Sequence, residues 1–161
     1  MKNTIAILLT LGISSAGAAE TPYARTNRLY DSAGVPTPAR MLGWYSGRCF
    51  SVSKPTTAVA ALLTTYRSHG RLKAVFWREF DQPADYYDRP TPEVIREIEA
   101  GLKKYDADIP LLVRKSDRWE AVHEGEHTDA TWTRGNRKQI VIKALHDDEQ
   151  TNACAFFLRV R

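Results

Sequence analysis

Short runs of apolar residues, many of them β-branched or aromatic, recur along the chain from residue 41 onward, separated by Gly, Pro, Asn, Asp and Ser. This pattern is typical of β-strands joined by tight turns. The run at 57–66 is apolar enough for a helix, but its β-branched residues and the following His69-Gly70 favour a strand. Eight strands are predicted, at 44–53, 57–66, 72–80, 109–115, 118–123, 127–134, 137–146 and 151–160.

One segment has the helical period instead. Thr91 can cap a helix whose first turn contains Pro92, and apolar residues then recur at helical spacing up to Tyr105. A helix is therefore predicted over 91–105, after a long connection at 81–90. The other connections are short, so consecutive strands should pair as an antiparallel meander.

The two cysteines indicate which strands pair to close the meander. Cys49 lies in the first predicted strand and Cys154 in the last, and a disulfide between them requires those strands to be antiparallel neighbours. Directly opposed residues would then place Trp44 opposite Arg159. The predicted fold is mainly β: about eight antiparallel strands in a closed or nearly closed barrel, with one α-helix inserted after the third strand.

Gly43-Trp44-Tyr45 at the start of the first strand, with an arginine on the last strand, resembles the calycin (lipocalin-like) arrangement. The resemblance implies that Arg159 packs over Trp44 and that the barrel interior holds a small apolar ligand. The position of the helix departs from that family, in which the helix follows the eighth strand. The resemblance is therefore one of architecture. Whether this interior is hollow or packed stays open.

The first 19 residues have the pattern of a secretory signal peptide. A lysine at position 2 precedes an apolar run at 5–13 and a small-residue stretch with cleavage sites near Ala18 or Ala19. The run is shorter than the roughly 20 residues that span a bilayer. We expect a soluble periplasmic or extracellular protein, with a flexible N-terminal arm at 20–40 and a single disulfide-stapled domain at 41–161. An oxidising compartment agrees with a disulfide.

The net charge of the mature chain excludes few classes of binding partner. Without Lys2 the mature chain has 22 Lys and Arg against 19 Asp and Glu, a formal charge of +3. This mild excess does not indicate nucleic acid. No membrane span is expected, and the oligomeric state stays open. The partner is expected to be an unidentified small molecule or an envelope protein.

The segment from His123 to His127 reads H-E-G-E-H, which matches the zinc-protease motif in letters. Its central glycine and strand-like flanks predict a hairpin tip instead. The meander would place this tip and His146 at one acidic end of the barrel, and a set of basic residues at the other. The acidic end could hold a divalent metal or a cationic ligand, and the basic end could contact anionic envelope material. Solvated turns explain both ends, so no metal and no cofactor are predicted. Residue parity places His127 on the opposite face from His123 and His146.

No nucleophile elbow or Gly-rich phosphate loop occurs, so no catalytic residue is assigned. The leading hypothesis is an exported binding protein for a small ligand or an envelope component. Two alternatives stay open: an interaction or inhibitor module acting through loop tips, and an envelope enzyme that uses His123 or His146. The candidate ligand- or partner-binding residues are Trp44, Tyr86, Tyr87, His123, His146 and Arg159.

Overall fold

The computed structural model describes residues 18–78 and 87–160. Eight antiparallel strands form one sheet in the order β3-β2-β1-β8-β7-β6-β5-β4. The strands are β1 (Gly43–Ser51), β2 (Val59–Ser68), β3 (Arg71–Arg78), β4 (Val113–Arg114), β5 (Trp119–Glu124), β6 (Thr128–Gly135), β7 (Ile140–His146) and β8 (Glu149–Arg159). The helices are α1 (Pro22–Ser32), α2 (Pro38–Met41) and α3 (Pro92–Lys104), and a 3₁₀ turn spans Asp106–Asp108.

The sheet curls into a nearly closed barrel, as the meander predicts. β1 pairs with β8, so the first and last strands are neighbours. Among the described residues, the two sheet edges, β3 and β4, are joined by a bridge between Lys73 and Leu111 and a hydrogen bond from the Leu112 amide to the Leu72 carbonyl, 2.8 Å. β4 is shorter than the predicted strand at 109–115, since Pro110 has no amide to donate to a ladder.

The disulfide joins Cys49 to Cys154, which lie directly opposite each other on β1 and β8. The predicted register holds as far as Gly47, which faces Phe156. Beyond it β8 has one extra residue, a β-bulge, so that Tyr45 and not Trp44 faces Arg159. The predicted pairing of Trp44 with Arg159 was therefore wrong by one residue.

Side chains fill the middle of the barrel. One cluster of buried residues surrounds the disulfide, and a second lies towards β3 and β5. Ala74 packs against both clusters, so they form one continuous core. The members are Tyr45, Cys49, Ala61, Leu63, Ile140, Ile142, Cys154 and Phe156 in the first cluster, and Met41, Leu72, Leu112, Trp119 and Ala121 in the second.

The N-terminal segment differs from the flexible arm expected at 20–40, because α1 packs on β7, β8 and β1. The Thr21 hydroxyl caps α1 by accepting from the Ala24 amide, 3.2 Å, and Pro22 occupies its first turn. Its anchor is Tyr30, which is buried and whose ring contacts the cationic groups of Arg134 and Lys143. None of the described helices is long and apolar enough to cross a bilayer.

Candidate ligand-binding cleft

A cleft of about 510 Å³ lies outside the barrel, between α3 and the outer face of β1 and β2. It opens at the end of the barrel where β2 turns into β3. Its lining combines an apolar floor, a row of hydroxyl groups and a charged mouth, which suits a small amphiphilic molecule. The lining residues are Trp44, Thr64, Tyr66, Arg67, Ser68, His69, Glu99, Leu102, Lys103 and Asp106.

The walls of the cleft are formed by alternate side chains of β2 and by one face of α3. Along β2 every second side chain points outward, and the outward residues change from apolar at Ala60 and Leu62 to polar at Thr64, Tyr66 and Ser68. α3 covers the apolar half and leaves the polar half open. The apolar face of α3 packs on the apolar half of β2 through Ile95, Ile98 and Leu102.

Trp44 forms the floor and is only 5% exposed. Its ring stacks on Trp77 with ring centroids 6.1 Å apart and planes 7° apart. A hydrogen bond from the Val160 amide to the Trp44 carbonyl, 2.9 Å, ties the floor to the last strand. The stacked pair gives the cleft a rigid aromatic base.

Asp106 closes the cleft through a dense set of hydrogen bonds. Its carboxylate accepts from the Ser68 hydroxyl at 2.6 Å, the Tyr66 hydroxyl at 3.0 Å and the Lys73 ammonium at 3.1 Å. The Ser68 hydrogen bond, helped by Lys73 and Tyr66, holds the pKa of the Asp106 carboxyl below its ordinary value, although burial opposes the shift. Burial, and then the hydrogen bond to Asp106, raises the pKa of Tyr66. At neutral pH Asp106 is therefore ionised and Tyr66 is neutral, and the hydrogen bonds hold both side chains in place.

Positive charge gathers at the mouth. Arg67 and Lys103 are exposed there, on β2 and on the last turn of α3. The buried ammonium of Lys73 already pairs with Asp106. Glu99 also lines the cleft, one helical turn before Lys103, so an anionic group entering the mouth would meet two exposed cations and one carboxylate.

The other candidate residues lie in different places. Tyr87 is buried against Trp44, Leu62 and Ile95, so it anchors the segment before α3 instead of offering a surface. Tyr86 lies outside the described residues. Arg159 lies over the Tyr45 ring at 5.9 Å and donates to the Leu42 carbonyl at 3.0 Å. The bulge explains why it does not pack on Trp44.

The H-E-G-E-H segment forms the β5–β6 hairpin tip, as predicted. His123 lines a second cleft, of about 410 Å³, together with Asp129. Asp129 accepts a hydrogen bond from Nδ1 of His146 at 2.8 Å and raises the pKa of that imidazole. His127 lies beside His146, with ring centroids 4.9 Å apart. The parity argument was wrong for His127 because this residue belongs to the tip and not to a strand.

The sequence pattern missed the hydroxyl row and Asp106. The hydroxyl row could have been predicted from the alternation along β2, where Thr64, Tyr66 and Ser68 are separated by residues that face inward. Nothing local in the sequence pairs that row with an aspartate about 40 positions later. Comparison with protein-family models, curated proteins and solved structures finds no match for this chain.

Proposed function

We propose that this protein is an exported binding protein that holds a small amphiphilic anion in the cleft beside α3. The observation that carries the proposal is the cleft of about 510 Å³ outside a barrel whose interior is occupied by core side chains. The apolar part of the ligand would lie on Trp44 and Leu102, and its anionic group would meet Arg67 and Lys103. The ligand site thus differs from the interior site that the calycin resemblance implied.

Export is part of the same proposal. The signal-like N-terminus lies at residues 1–19, most of it outside the described residues. The Cys49–Cys154 disulfide fits an oxidising compartment such as the periplasm or the extracellular space. A cell fractionation that recovers the protein in the cytoplasm with Met1 still attached would contradict this part.

A binding role has more support than the two alternatives. The interaction module was expected to act through Tyr86 and Tyr87, and Tyr87 is buried. For an enzyme, an imidazole must activate a nucleophile or a water molecule. Among the described residues, the side-chain hydrogen bonds of His127 and His146 go to carboxylates, and none joins either imidazole to a hydroxyl or thiol group. Catalysis by His123 or His146 stays a prediction.

Two neighbouring lysines provide a matched test. Lys103 lines the cleft, whereas Lys104 lies next to it in α3 with its ammonium over the Tyr105 ring, outside the lining. Both are exposed and in the last turn, so reversing either charge changes the interaction with the helix dipole similarly, and only Lys103 has an acidic residue, Glu99, one turn before it. Lys103→Glu should therefore weaken ligand binding, and Lys104→Glu should not.

Native mass spectrometry of protein purified from its own host should show a small-molecule adduct, which Lys103→Glu loses and Lys104→Glu keeps. Anilinonaphthalene sulfonate, an anionic aromatic dye, provides an independent probe, because its emission rises when it enters an apolar site. We expect at least a fivefold weaker dye affinity for Lys103→Glu than for Lys104→Glu. Equal affinities, with no adduct on the wild-type protein, would overturn the proposal.

A further inference from the structure

Two hairpin tips meet at the end of the barrel opposite the mouth of the cleft. One is the β5–β6 tip with His127, and the other is the β7–β8 turn with Asp147 and Asp148, preceded by His146. Backbone contacts hold the tips together. The Asp147 amide donates to the Thr128 carbonyl at 2.8 Å, and the Thr128 amide donates to the Asp147 carboxylate at 2.9 Å. The side chains of the two tips therefore start from fixed backbone positions.

Each imidazole ring hydrogen-bonds a carboxylate. Nδ1 of His146 donates to Oδ1 of Asp129 at 2.8 Å, so a neutral His146 presents its lone pair at Nε2, which lies 3.9 Å from Oδ2 of Asp147. Carboxylates orient metal-binding histidines in proteins as Asp129 orients His146. Nδ1 of His127 donates to Oδ2 of Asp147 at 3.0 Å, so a metal ion bound by both residues would replace this proton, which is released to water.

The spacing also suits a metal ion. Ligand atoms of His127, His146 and Asp147 all lie within 4.8 Å of one another. Bonds of about 2.0–2.1 Å to a tetrahedral zinc ion place ligand atoms roughly 3.4 Å apart. The remaining gap is small enough for side-chain rotation to close, since these side chains are 58%, 48% and 54% exposed.

Local charge favours a cation at this place. Acidic residues lie beside the two imidazoles on the same tips and the adjoining strand ends. A negative rim raises the local concentration of cations and keeps a bound divalent ion partly neutralised. The acids are Glu124, Glu126, Asp129, Asp147, Asp148 and Glu149.

We propose that His127, His146 and Asp147 form a binding site for a divalent late transition-metal ion of the zinc class. Two imidazole nitrogens and one carboxylate oxygen are the ligand types that zinc, nickel and copper prefer. Three protein ligands leave further coordination positions to water, so the site is open. Asp129 is a positioning residue that orients His146 through its Nδ1. This goes beyond the proposed ligand cleft and does not depend on it.

The test is zinc binding by the mature, tag-free protein, measured by calorimetry with zinc chloride. One zinc per chain is expected. His127→Ala and His146→Ala should each weaken zinc affinity at least 100-fold. Asp129→Asn should weaken it about tenfold, in line with losses seen for residues that orient a metal-binding histidine.

His123→Ala is the matched control, because His123 lies on the same rim, with its Cα paired to that of Asp129, but outside the three-residue group. Its zinc affinity should stay within twofold of wild type. Circular dichroism checks that each variant is folded, and cobalt gives a second readout through its visible ligand-field bands. No zinc binding by wild type, or a zinc affinity that both His127→Ala and His146→Ala leave unchanged, would overturn the site.

Discussion

Reduction of the Cys49–Cys154 disulfide should remove a large part of the stability of the fold while leaving its architecture intact. The bridge spans 105 residues of sequence. In the chain-entropy model, closing a loop of that length in the unfolded state contributes about 4.8 kcal/mol at 25 °C. Domains of this size are stable by roughly 5–15 kcal/mol, so the reduced protein should remain folded near room temperature with little margin.

The native fold should persist after the disulfide is reduced. Cys49 and Cys154 are buried in the barrel core, and β1–β8 ladder pairs flank them on both sides. The thiols should therefore stay packed, and most of the loss should come from the unfolded chain gaining freedom. The slope of stability against urea should rise as well, because an uncrosslinked unfolded chain exposes more surface.

Urea denaturation of the oxidised and reduced protein, followed by tryptophan fluorescence, measures both quantities. The double variant Cys49→Ala/Cys154→Ala is the control: it should resemble the reduced protein and should not respond to reductant. A loss below about 1.5 kcal/mol on reduction would refute the reasoning, because the cross-link would then not restrict the unfolded state as the model requires.

Four further variants test the fold and the cleft. Gly47→Ala places a Cβ 2.1 Å from the Ala155 carbonyl oxygen, so denaturation should show a loss of about 3 kcal/mol or more. The control Gly101→Ala, whose Cβ meets nothing within 4 Å inside α3, should gain up to about 1 kcal/mol. Tyr30→Phe removes a buried hydroxyl that has no partner among the described residues and whose pKa burial raises to about 12. Its stability should be unchanged or up to about 1 kcal/mol higher, and a loss above 1 kcal/mol would contradict this. The lowered pKa of Asp106 stabilises the fold above the ordinary carboxyl pKa, and this contribution disappears as pH falls through the lowered value. Asp106→Asn should therefore flatten the acid limb of the stability–pH curve, and an unchanged limb would contradict the assignment.

The strand pattern and the cysteine pair were enough to predict the barrel. Alternating polarity located the strands, and short turns made them antiparallel neighbours. The cysteine positions then fixed which strands close the ring, because a disulfide tolerates only a small Cα separation. Local pattern and one long-range constraint thus agree with the observed sheet order.

The features that were missed depend on contacts between distant segments. The β8 bulge shifts the register by one residue beyond Gly47, and the local sequence pattern does not predict it. α1 begins with Thr21-Pro22, the same local start as α3, but few of its residues are buried, and its docking depends on contacts of Tyr30 with Arg134 and Lys143, over 100 positions away. The cleft likewise requires β2 to meet α3 and Asp106. Sequence period predicts elements, whereas the bulge, the docking of α1 and the cleft arise when the elements pack.

The proposed ligand cleft and the proposed metal site lie at opposite ends of the barrel, and this separation makes each a control for the other. The cleft is built on β1, β2 and α3, and the metal group on the β5–β6 and β7–β8 tips. Lys103→Glu should therefore leave zinc affinity unchanged, and His146→Ala should leave dye affinity unchanged. β1 and β8 form the ladder that joins the two halves next to the disulfide. If the cross-link acts mainly on the unfolded chain, the Cys49→Ala/Cys154→Ala variant should bind both probes with wild-type affinity below its melting temperature. Weaker binding of either probe by the folded variant would mean that the disulfide also shapes the native sites.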